Sequence, residues 1–194
     1  MNNKVKRIAG VGIFAAIVVV LQLFATFIQL GSFSITLALV PIVIGAALYG
    51  VAAGAMLGGV FGLVVLIMTI SGAGGIGAYM LWAANPLLTL LVIMLRGILS
   101  GAAAGAVYQA LAKKNKFAGV VCAAIVCPVV NTGLFLLAMH FIFSDFLEMW
   151  ADGATTVYFL FVGLAGVNFI IELVINIVLS PTIVRILRAV KAVS

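Results

Sequence analysis

Long uncharged apolar runs, parted by short polar or glycine-bearing stretches, make up nearly the whole of this chain. The first run covers residues 8–28 and follows a basic tail holding Lys4, Lys6 and Arg7. Polar positions 29–34 interrupt it. From Ile35 to Ile70 there is no charge over 36 residues. As one helix these would extend about 54 Å, against a hydrocarbon layer of about 30 Å. The run therefore predicts two spans, 35–49 and 51–70, folded at Tyr49-Gly50, with Pro41 kinking the first. Residues 71–84, SGAGGIGAYMLWAA, predict a loop whose glycines deny it a stable helix. Its aromatics suit an interfacial anchor or a lid over a pocket. Three more spans are expected at 86–111, 117–143 and 156–186. The predicted fold is an all-α membrane protein, a compact bundle of six transmembrane helices forming one domain over 1–194.

Charge and composition agree with that pattern. Of 194 residues 66% are hydrophobic and 7% charged, whereas a soluble domain carries about 25% charged residues. The net charge of +6 does not point to nucleic acid, because the basic residues flank apolar runs. Lys4, Lys6 and Arg7, then Lys113, Lys114 and Lys116, then Arg185, Arg188 and Lys191 fall on one side of a six-span chain. By the positive-inside bias both termini are cytoplasmic. The tenth basic residue is Arg96. Asp145, Glu148 and Asp152 occupy an opposite-side loop. The first run is long enough to span and lacks a small-x-small cleavage site, so no cleavable signal peptide is expected.

Few polar side chains fall inside the spans, and they cluster. Asn85-Pro86 reads as a helix start, with proline at the first helical position. Ten residues on, at about 15 Å of rise, Arg96 reaches mid-membrane, where an arginine costs at least ~2.5 kcal/mol. It faces a partner, a cavity or a ligand. Asn131 lies on the fifth span and His140 near its outer end, where an interfacial role is expected. Asn168 and Glu172 share one face of the sixth span, extended inward by Asn176. Arg96 and Glu172 have opposite signs, so an ion pair is one reading and a ligand contact the other. Tyr79, Trp82, Asn85, Arg96, Asn131, Asn168 and Glu172 form the candidate substrate-binding set, closed by the 71–84 loop. The first three spans contribute almost no polarity to it.

Those spans instead carry small residues at spacing four: Gly12 and Ala16, then Gly54, Gly58 and Gly62. Gly97, Gly101 and Gly105 repeat the spacing on the fourth span. Such stripes let two backbones approach closely in lipid. Gly12, Ala16, Gly54 and Gly58 are the candidate docking residues for a partner, the alternative being that they only pack the first three spans against each other. Cys122 and Cys127 point apart on a helix and match no metal-ligand spacing. No H-E-x-x-H, G-x-S-x-G, acid pair or phosphate-loop pattern occurs. No catalytic residue, metal or cofactor is therefore expected, and energised transport needs an ATPase from a partner.

The small-residue first span, the run SITLALVPIVIGAALYGVAAGAMLGGVFGLV, and NPLLTLLVIMLRGILSGAAAGAVY carry a resemblance. CPVVNTGLFLL and VNFIIELVINIVLSP extend it over almost the whole chain. Together they resemble the substrate-binding S components of energy-coupling factor (ECF) vitamin transporters. The resemblance implies six helices in a prokaryotic plasma membrane and a vitamin site near the outer face. That site is built by helices 4 to 6 and the loops after helices 1 and 3. It also implies docking through helices 1 to 3 onto a transmembrane T component with two ATP-binding subunits. The bound subunit is thought to topple in the membrane to deliver its vitamin. The family's alanine-x-x-x-alanine docking motif has Gly12-x-x-x-Ala16 as its counterpart here. An arginine with asparagines suits an anion bearing hydroxyl and amide groups, which favours pantothenate over riboflavin, folate or another vitamin. The competing reading is a structural subunit of some other membrane complex, without a ligand.

Overall fold

The computed structural model describes residues 3–25, 27, 29–30, 33–34, 36–151 and 166–193. Asp152 and residues 156–165 of the expected sixth span lie outside them. The element order is α1 (Asn3–Ala25), β1 (Gln29–Leu30), β2 (Phe33–Ser34), α2 (Leu39–Tyr49) and α3 (Val51–Ser71). Then come α4 (Ile76–Ala84), α5 (Pro86–Leu111), α6 (Lys116–Phe141), α7 (Ser144–Ala151) and α8 (Gly166–Val193). Among the described residues α1, α3, α5, α6 and α8 are long and apolar enough to cross a membrane. With the shorter α2 they make an all-α membrane bundle of about six helices. The two-residue strands pair antiparallel, Gln29 opposite Ser34.

Local chemistry explains the helix ends. Asn85 caps α5, its Oδ1 accepting from the Leu88 N–H at 3.1 Å, with Pro86 at the first helical position. Asn115 caps α6 in the same way, accepting from the N–H groups of Phe117 at 2.9 Å and Ala118 at 3.2 Å. Gly50 alone separates α2 from α3. Its φ of 92° lies in the region where a side chain is strained, so glycine makes a one-residue reversal possible.

Three expectations change. Span 2 becomes α2, 11 residues and about 16 Å long, too short to cross alone. It lies in the middle of the bundle, touching α1, α3, α5, α6 and α8, and Leu39 and Pro41 to Ala47 are buried. Pro41 falls in the first turn of α2, where its missing N–H costs no helical bond, so it starts a helix rather than kinking one. The 71–84 loop is mostly helical. Three of its four glycines lie in the turn, where Gly72 and Gly75 have positive φ and the Gly74 N–H returns to the Met68 carbonyl at 2.9 Å, while Gly77 is taken into the helix. Past them, Ala, Met, Leu and Trp favour a helix, and α4 forms.

The glycine stripes of α3 and α5 meet each other. A Cβ on Gly58 would collide with the Gly97 carbonyl, and one on Gly101 with the carbonyl of Gly54. A Cβ on Gly105 would stand 2.8 Å from the Val51 Cα. Among the described residues no other helix pair is in such extensive contact. Gly54 and Gly58 are therefore buried inside the chain. The expectation that they form an outward docking stripe gives way to a seam that brings two backbones together. On α1, by contrast, Gly12 and Ala16 are exposed, and a Cβ on Gly12 would meet nothing within 4 Å.

Candidate functional site

One end of the bundle encloses a cavity of about 90 Å³. At about 15 Å³ per water-sized centre it admits several non-hydrogen atoms at once. The end of α1, the approach to α2, the end of α3, α4, the start of α5, the C-terminal half of α6 and the start of α8 all contribute. Arg96, Asn131, Asn168 and Glu172 line it together. Side chains from α5, α6 and α8 are thus gathered on one wall system.

No ion pair within 4 Å joins Arg96 to Glu172 among the described residues, so the direct pair offered by the sequence is not formed. Arg96 Nε is buried without a hydrogen-bond partner among the described residues. Its guanidinium carbon lies 5.3 Å from the centroid of the Phe135 ring, within cation–π range. Glu172 is 4% exposed. Its Oε1 accepts from the Thr36 N–H at 3.0 Å, while Oε2 has no partner among the described residues. That bond fastens the approach to α2 against α8. Asn131 is 2% exposed, with its Oδ1 buried and unmatched among the described residues. A buried polar atom without a partner costs about 1–3 kcal/mol. Arg96, Glu172 and the Asn131 amide thus face one small space between apolar walls.

The other sequence candidates sit elsewhere. Asn85 spends its side chain on the α5 cap. Tyr79 is about half exposed, and neither it nor Trp82 lines the cavity. Helix α4 instead turns Gly74 (in the preceding turn), Ala78 and Leu81 to the cavity and Ile76, Tyr79 and Met80 outward. Thr89 Oγ1 donates to the Leu81 carbonyl at 2.8 Å, pinning α4 to α5. Leu81, Met139, Phe143 and Leu147 form a buried cluster beneath α7 and α4. His140 is exposed, its ring edge-on to Phe141. Asn176 lies inward of the cavity, its Nδ2 donating to the Glu172 carbonyl at 2.8 Å.

Several lining groups escaped the sequence reading. Gln22, Thr36 and Thr69 bring α1, the approach to α2, and α3 into the wall, so the polarity is not confined to the later helices. Gln22 carried a signal: it is the one polar residue between Ile8 and Ala25. Thr36 and Thr69 carried none, since threonine is common in apolar spans.

An all-α membrane bundle with a mixed polar and aromatic cavity at one end defines a class, membrane proteins that hold a small molecule. The chain belongs to the family described as ECF transporter, substrate-specific component, whose model matches residues 6–184. It is a family of transport subunits working with a T component and ATPases, not of enzymes. A comparison with curated proteins finds no match.

Proposed function

We propose that this chain captures a vitamin in the prokaryotic plasma membrane and hands it to a T component energised by two ATP-binding subunits. The observation that carries the proposal is the cavity in which Arg96, Asn131, Asn168 and Glu172 meet. Arg96 would take the ligand's anionic group, a charge-assisted contact strengthened by its apolar surroundings. The asparagines would take neutral donors and acceptors, with Phe135 and Phe169 packing the carbon skeleton. Pantothenate, an acid with hydroxyl and amide groups, fits that division of labour, and riboflavin and folate are the alternatives to set against it. The termini and the Lys113–Lys116 turn would lie in the cytoplasm, with the cavity toward the outer face. Titration calorimetry of the purified chain with pantothenate, riboflavin and folate tests the proposal. Submicromolar pantothenate binding supports the full reading, tight binding of another vitamin replaces the ligand, and no binding by any vitamin rejects it.

A further inference from the structure

We propose that Gln22 is a ligand-contacting residue, through which α1 supplies a neutral donor–acceptor contact to the cavity; this rests on the small-molecule reading above. Gln22 is 1% exposed, and its Oε1 is buried without a hydrogen-bond partner among the described residues. The side chain lines the same cavity as Arg96 and Asn131. Every other residue from Ile8 to Ala25 is apolar or glycine, so leucine at position 22 would continue the helix without leaving an unmet amide. A buried amide without a partner costs stability and gives nothing to the unliganded fold. Thr69, also 1% exposed, has its Oγ1 buried and unmatched among the described residues in the same cavity. Two unmet neutral groups from α1 and α3 thus face the space that Arg96 reaches from α5.

The chemistry narrows the ligand. A glutamine amide offers one acceptor and two donors, matching a hydroxyl, an amide or the polar edge of a ring. Arg96 matches an anion. The ligand class is therefore an acid that also carries a neutral donor–acceptor group, and Gln22 reads the neutral group.

The experiment compares wild type with Gln22→Leu and Gln22→Met in detergent. It measures thermal unfolding without ligand, and affinity for pantothenate, biotin, folate, riboflavin and thiamine. The expected result is an unliganded midpoint unchanged or raised, with affinity for the vitamin that wild type binds reduced about tenfold or more. A midpoint lowered in both variants, or failure of both to fold, makes Gln22 structural and overturns the inference. Affinity equal to wild type overturns it too, while leaving the small-molecule reading intact. Binding of none of the five by wild type overturns that reading and this inference together.

Discussion

Arg96 is held in a way that separates its two expected roles. With no ion pair to Glu172 within 4 Å among the described residues, the guanidinium supports the unliganded fold through its contact with Phe135 at 5.3 Å, worth about 0.5–2 kcal/mol, and a longer-range attraction to Glu172. A charge-assisted hydrogen bond to a ligand is worth about 1.5–3 kcal/mol, or roughly 10- to 100-fold in affinity. Arg96→Gln is therefore expected to lower vitamin affinity by that factor and to move the thermal midpoint little. Calorimetry and thermal unfolding on the same preparation check it; a large drop in midpoint with affinity retained contradicts it. At this scale the sequence was informative where a residue stood out chemically. A lone arginine ten residues past Pro86, and Asn168 with Glu172 one turn apart, announce themselves in an apolar chain. Asn85 was ambiguous, because asparagine serves equally as a cap and as a ligand contact, and only the bond to the Leu88 N–H decides. Removing that cap by Asn85→Ala is expected to cost about 1 kcal/mol of stability while leaving affinity near wild type.

Among the elements, the α3–α5 seam makes the sharpest claim. Gly58 and Gly97 face each other across it, as do Gly54 and Gly101, and each Cβ would run into the opposite backbone. Backbone cannot step aside as a flexible side chain can. Gly58→Ala and Gly101→Ala are each expected to destabilise by about 1–3 kcal/mol, whereas Gly12→Ala, with open space around it, is expected to be nearly neutral. Thermal unfolding of the three variants tests the contrast, and equal midpoints would contradict the seam. Spacing four told the sequence reader that backbones would approach, but not which ones. The direction of a helix face depends on packing, and a chain apolar on every side gives no polar face from which to orient it. The same limit hid the shortness of α2, since a buried interior helix and a lipid-facing span read alike. Helix α4 was missed for another reason: Gly72, Gly74 and Gly75 dominate the local sequence, although the residues that follow form a helix readily.

The whole molecule has its cavity at one end and an exposed small-residue strip, Gly12 and Ala16, along α1. Lipid gives helices no hydrophobic reason to pair, so a T component must gain its contact from close packing. We expect Gly12→Leu and Ala16→Leu to abolish co-purification with the T component and to cut uptake in cells roughly tenfold or more, with vitamin affinity of the isolated chain unchanged. Normal assembly in both variants would move the interface elsewhere. The central claim concerns the cavity, and it is tested most directly by mass spectrometry of small molecules released when the purified chain is denatured. Wild type should release one compound near 1:1, an acid carrying neutral donors and acceptors, and Arg96→Gln should release little of it. Release of no specific compound from wild type, or of the same amount from Arg96→Gln, would contradict the account.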